Sequence, residues 1–238
     1  MISINSYQQF QYPVVAPPAP SWVTTGLLSR LDAGDTNSYP GTGTTWTDLS
    51  GNNYNGSISG GTYNSGNGGS INLVSNDYVA YTPNRIQITS DFTFGMVLNA
   101  SSFAAGNPGF WRDDPSLADC TGNDFFIMQT QTGRPWLRLA GGDVYKPSSG
   151  YTVPLNTWAY LQITVTSAND MKFYVNGVLQ VTVSHSKVPT INLGWFGYQC
   201  GLLEKVNGNY SVIEWYNIAL NQTQITQNFD LVKARYGL

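Results

Sequence analysis

The sequence predicts an all-β chain: two antiparallel sheets packed face to face, with one short helix at the carboxy terminus. Three observations predict it. Only 11% of the 238 residues are charged, against roughly 25% in an ordinary globular domain. The remaining polarity sits in Asn, Ser, Thr and 25 Gly, beside 7 Trp, 15 Tyr and 10 Phe, a composition that favours tight turns and aromatic or β-branched strands. Apolar residues also alternate, most clearly at Phe92, Phe94, Met96 and Leu98 and at Leu161, Ile163 and Val165, which puts every second side chain on one layer. Gly/Asn/Ser clusters such as 50–61 and 64–70 punctuate these runs at short intervals. One large core suits a chain of this length, because all-β sandwiches fill about 200 to 250 residues as a single unit.

Taken in order, residues 1–25 form an extended arm, Gln-rich and then marked by Pro13, Pro17, Pro18 and Pro20, a composition that favours polyproline-like backbone. Residues 26–238 form the domain. Strands are expected at 26–32, 70–74, 77–81, 91–98, 125–130, 135–140, 157–166, 170–175, 178–184, 191–198 and 210–216. Asn176-Gly177, between MKFYV and VLQVTV, predicts a two-residue hairpin, since both residues tolerate the positive φ of a type I′ turn. Trp46 and Trp158 suit the core or its edge, and Asp48, Ser50 and Asn52 suit a turn closed by side-chain-to-backbone hydrogen bonds. A helix is expected at 222–235, capped by Asn221, with Ile225, Phe229 and Val232 on one face and Gly237 as its stop. Its apolar stripe should close one side or end of the sandwich. Residues 106–124 form a long irregular loop, the kind of segment on which binding tends to sit.

Several function classes are excluded. The balance of 11 Lys+Arg against 14 Asp+Glu gives a net charge of -3, which offers nucleic acid no cationic stripe. No window approaches 18 apolar residues, so no membrane span is expected, and the amino terminus does not read as a signal peptide. There is no Walker loop, no dinucleotide fingerprint and no G-x-S-x-G elbow, and His185 reads as a surface residue at a strand end. Cys120 and Cys200 read as two thiols, with one disulfide as the alternative. The sequons at Asn55, Asn99, Asn209 and Asn221 are chance matches in an Asn-rich chain.

The segments GLLSRLDAGDTNSYPGTGTTWTDLSGNNYNGSISGGTY, SNDYVAY, DFTFGMVLN, WAYLQITVT, MKFYVNGVLQVTV and IEWYNIALNQTQITQNFDLVKARYGL resemble the laminin G-like branch of the concanavalin A-like lectin/glucanase superfamily. TWTDLSGNNYNG and NIALNQTQITQNFDLVKARYG resemble in particular the version carried by tailed-bacteriophage virion proteins. The resemblance covers about residues 26–238 and implies a jelly-roll sandwich from a family that binds glycans, binds proteins or serves as structural appendages.

That resemblance frames three functional readings. The first is a non-enzymatic virion protein on the particle surface, as capsid decoration or tail appendage, made in the host cytoplasm without a signal peptide. The second is a lectin or tail adhesin for host recognition, and the third a glycoside hydrolase. Hydrolysis needs two carboxylates about 5 to 5.5 Å apart in a retaining enzyme, but Glu204 and Glu214 have no acidic neighbour two positions away. Glycan binding needs an aromatic platform and planar polar partners, which Trp111, Arg112, Asp113, Trp136, Arg138 and Tyr145 supply. Packing within a sheet is the alternative for Trp136. Trp111 is the stronger platform, because Pro108, Gly109 and Pro115 argue against a regular strand around it. No cofactor is expected, apart from Ca2+ as a weak candidate at Asp113, Asp114, Asp119 and Asp124. Phe10, Tyr12 and Val14 are the expected anchors of the arm on a virion partner or on a second copy in a homo-oligomer.

Overall fold

The computed structural model describes residues 21–82, 85–103, 111–112, 126–129, 133–139, 142–145, 150–167, 170–186, 191–197 and 206–238. In chain order the first strands are β1 (Leu27–Asp32), β2 (Thr45–Trp46), β3 (Gly56–Ser59), β4 (Thr62–Asn64), β5 (Ser70–Leu73) and β6 (Tyr78–Tyr81). They are followed by β7 (Ile86–Ile88), β8 (Phe92–Phe103), β9 (Trp111–Arg112), β10 (Phe126–Gln129), β11 (Arg134–Leu139) and β12 (Gly142–Tyr145). The last are β13 (Trp158–Val165), β14 (Asp170–Val175), β15 (Val178–Ser184), β16 (Ile191–Leu193), β17 (Trp195–Phe196) and β18 (Val206–Tyr216), before helix α1 (Gln222–Tyr236).

The expected all-β sandwich is present. The back sheet runs β15-β14-β13-β8-β18-β5-β4, with β1 also on β18. β18 is long enough to serve two neighbours on one edge, pairing with β5 through Gly208–Tyr210 and with β1 through Val212–Tyr216. The front sheet runs β2-β3-β6-β17-β9, and a separate two-stranded sheet, β16-β7, adjoins it where the Tyr81 amide donates to the Gly194 carbonyl. Between the layers lie Phe92, Phe94, Met96, Leu161, Ile163 and Trp215 from the back, with Trp46, Ile58, Val79 and Phe196 from the front. Each fully buried apolar side chain of this size contributes roughly 1.5–3 kcal/mol.

Several expectations change in detail. The Gly/Ser/Asn cluster at 50–61 contains a strand, β3, because pairing with β6 outweighs the weak strand propensity of Gly56-Ser57-Ile58-Ser59. The run at 191–198 is two strands broken at Gly194. β8 and β13 show no exposed second face over Phe92–Leu98 and Trp158–Val165, where every residue is buried. Helix α1 is the reason: Val232 and Tyr236 pack on Val97, Trp158, Tyr160 and Val212, and Ile225 packs on Tyr174, Tyr216 and Leu220. His185, expected at the surface, is 9% exposed.

The hairpin and the helix form as their residues dictate. Asn176 and Gly177 adopt φ of 50° and 75°, Val175 faces Val178, and the Asn176 side chain also accepts from the Tyr160 amide. Asn221 and Gln224 close a capping box, and Gly237 ends α1 in the left-handed conformation. Asp48 builds the expected turn by accepting from the amides of Arg30, Ser50 and Tyr54, while Asn52 donates to the Leu27 and Leu28 carbonyls. Among the described residues no helix is long and apolar enough to cross a membrane.

Candidate functional site

The sequence-predicted contact residues that are described fall on two separate sheets. Trp111 and Arg112 do form a strand, contrary to expectation: β9 is the edge of the front sheet, with Trp111 opposite Phe196 and Arg112 opposite Trp195. The breakers Pro108, Gly109 and Pro115 lie outside the two paired residues, so an available strand edge prevails over the local composition. Register aligns Trp111 with Phe196, Val79 and Ile58, which are buried, and Arg112 with Trp195, Ala80, Ser57 and Thr45. Trp136 and Arg138 lie on β11, in the three-stranded sheet β10-β11-β12, opposite Ile127 and Asp143. Tyr145 is opposite Leu137.

Trp136 is only 5% exposed, so packing describes it better than a ring face open to sugar. Asp113, Asp114, Asp119 and Asp124, Glu204, both cysteines, and Phe10, Tyr12 and Val14 lie outside the described residues. Among the described residues no three His, Cys, Asp or Glu side chains gather in a way that could hold a metal ion.

The sequence reading passed over the main polar centre. Glu214, on β18, is 0% exposed and faces α1. Tyr160 donates its hydroxyl to Oε1, the Asn228 amide lies 3.3 and 3.2 Å from the two carboxylate oxygens, and Tyr216 donates to Oε2 at 3.2 Å. The Gln162 amide lies 3.5 Å from Oε1 and 3.1 Å from the Tyr160 hydroxyl. Gly95, across on β8, makes the room, since a Cβ there would stand 2.5 Å from Oε1. Arg30 of β1 is Glu214's cross-strand neighbour.

Burial pushes the Glu214 carboxyl up to about 7, opposed by the hydrogen bonds from Tyr160, Asn228 and Tyr216 and by the charge of Arg30. The same burial and the facing carboxylate hold the Tyr160 hydroxyl well above its ordinary value. The centre can bind and release a proton. Among the described residues no second carboxylate is bonded into it, and α1 covers it through Asn228. The alternation of Val212, Glu214 and Tyr216 against Ile213 and Trp215 was the available signal, since a strand apolar on both faces needs a cover on each.

The back of the molecule is further fixed by a two-pronged ion pair, in which Arg235 of α1 donates to the two oxygens of Asp32 at 2.9 and 3.0 Å. Residues 21–23 close the seam between α1 and β1. The Val23 amide donates to Asn228 Oδ1 at 3.0 Å, Gln227 donates to the Ser21 carbonyl at 2.6 Å, and the Trp22 ring lies 4.8 Å from the Arg30 guanidinium.

A two-layer sandwich with a helix sealed over its back sheet is the architecture of a lectin-like domain. The laminin G family model of the concanavalin A-like lectin/glucanases superfamily matches residues 67–226, more than half of the chain. The chain belongs to that superfamily. Among solved structures it is similar to domain 4 of an extracellular arabinanase from Geobacillus stearothermophilus in complex with arabinotriose, at 15% identity and TM-score 0.61, covering 84% of this chain and 96% of that one. It is also similar to the binding domain of paraclostridial mosquitocidal protein 1, at 17% identity and TM-score 0.63, covering 87% and 52%. Trypanosoma rangeli sialidase is similar at 15% identity and TM-score 0.62, covering 92% of this chain and 36% of that one. The chain thus spans about half and about a third of the last two. Identities this low establish the shared fold. No curated protein sequence matches the chain.

Proposed function

We propose that the chain is a non-enzymatic glycan-binding domain displayed on the surface of a tailed-phage particle, with residues 1–25 anchoring it to neighbouring virion subunits or to a second copy. The observation that carries the non-enzymatic reading is the state of Glu214: its carboxylate is wholly enclosed by Tyr160, Tyr216, Gln162 and Asn228. A glycosidase acid must instead reach the scissile oxygen and work beside a second carboxylate. Glycan binding is supported by the superfamily and by the arabinotriose in the arabinanase domain. The phage setting is supported by the resemblance of TWTDLSGNNYNG and NIALNQTQITQNFDLVKARYG to virion domains. Contact residues are assigned to Arg112, in register with the exposed Ser57 and Thr45, and to Asp113, the next residue in the sequence.

A glycan array probed with the purified chain tests this reading. The expected result is retention on a subset of host-surface polysaccharides without release of reducing sugar on long incubation. Replacing Arg112 by Ala should weaken retention about tenfold, the loss of roughly 1.4 kcal/mol carried by one good contact. Hydrolysis of a bound glycan would overturn the non-enzymatic reading, and failure to bind any glycan would overturn the lectin reading.

A further inference from the structure

Glu214 is hydrogen-bonded to a side chain that also holds the root of the amino-terminal segment. Asn228 is the shared member: its Nδ2 donates to both Glu214 oxygens and, at 2.8 Å, to the Tyr216 hydroxyl, while its Oδ1 accepts from the Val23 amide. Arg30, opposite Glu214 in the sheet, carries the Trp22 ring. The carboxylate therefore bears on two of the contacts of residues 21–23, the Val23 amide through its hydrogen bond to Asn228 and the Trp22 ring through the charge of Arg30. We infer that Glu214 is a proton-operated latch: protonated, it holds residues 21–23 against α1 and β1, and ionised, it favours their release.

The side chains around it can serve both states. The ionised carboxylate accepts from Tyr160, Tyr216, Asn228 and Gln162. The protonated form needs an acceptor instead, and Gln162 Oε1 is buried without a hydrogen-bond partner; turning that amide over presents the oxygen to the new O–H. Ionisation in the closed state leaves a charge cut off from water, and opening the seam hydrates it. Residues 21–23 are held there by two hydrogen bonds, by the Trp22 ring on Arg30, and by the packing of Trp22 and Val23 on the clusters beneath α1.

The groups that face Glu214 are Tyr160 from β13, Tyr216 from β18 and Arg30 from β1. β8 offers Gly95 and α1 offers Asn228. The charges of α1 are otherwise engaged, Lys233 with Asp230 and Arg235 with Asp32, and residues 21–23 carry none. Of Tyr160, Tyr216 and Glu214, it is Glu214 whose value comes near neutrality, while burial holds both hydroxyls far above it.

Hydrogen exchange of the Val23 amide, corrected for the intrinsic rate at each pH, tests the latch. Protection in the full chain should fall about tenfold per pH unit as pH rises toward 7 and level off above it. It should stay below that of the Tyr81 amide in the front sheet throughout, and in E214Q it should be flat. Protection independent of pH in the wild type, or the same fall in E214Q, overturns the inference. So does equality with Tyr81 at every pH, because the segment would then leave only when the whole domain unfolds. If E214Q does not fold, the 13C carboxyl titration of Glu214 in the wild type decides: a midpoint that coincides with the pH at which Val23 protection levels off supports the latch, and a midpoint elsewhere overturns it.

Discussion

At Glu214 four side chains from three elements converge on one carboxylate, and the consequence for overall stability has a definite sign. Folding raises this group from 4.5 to about 7. Between those values the folded chain holds a proton that the unfolded chain has released, so the contribution is complete below about 4.5 and is lost as pH rises to about 7. Its size is on the order of 3 kcal/mol, at about 1.4 kcal/mol per unit. Urea unfolding at pH 4.5 and pH 7.5 should therefore show the wild type losing stability at the higher pH and E214Q losing much less. An equal loss in both chains would assign the effect to another group.

At the scale of elements, the boundary of the amino-terminal segment becomes a matter of contacts. Residues 21–25 precede the first strand, yet Val23 is buried, its amide is bonded to α1, and Gln227 holds the Ser21 carbonyl. Removing residues 1–20 should leave the melting temperature unchanged. Removing residues 1–25 should lower stability by roughly 3 kcal/mol, from one buried Val and the lost hydrogen bonds, and expose α1 to proteolysis. Thermal melts of the two truncations separate these outcomes.

The elements readable in the sequence were those with a local cause: Asn176-Gly177 supplies positive φ, and Asn221 with Gly237 bounds α1. β3 and β9 were missed because their cause is remote, an open edge on β6 and on β17. Glu214 was missed for a related reason. Its partners Tyr160 and Gln162 lie 54 and 52 residues away in the chain, whereas a search for paired acids looks two positions along.

For the whole molecule, the virion reading predicts that the chain is found by mass spectrometry in purified particles and that deletion of residues 1–20 removes it from them without unfolding it. Absence from particles, or normal incorporation of the truncated chain, would defeat that reading, and the copy number would separate a capsid lattice from a tail fibre. The cover that α1 lays over the back sheet bears on how such a domain is mounted. Ser21 is bonded to α1, and Leu238 packs against the Val97 and Trp158 cluster beneath it, so both ends of the described chain leave from the same side. A support joined directly at Ser21 or at Leu238 would therefore face α1, with the front sheet on the far side of the back sheet. An attachment point chosen for coupling or fusion sets the orientation in advance, much as the handle of a shield decides which face meets the outside.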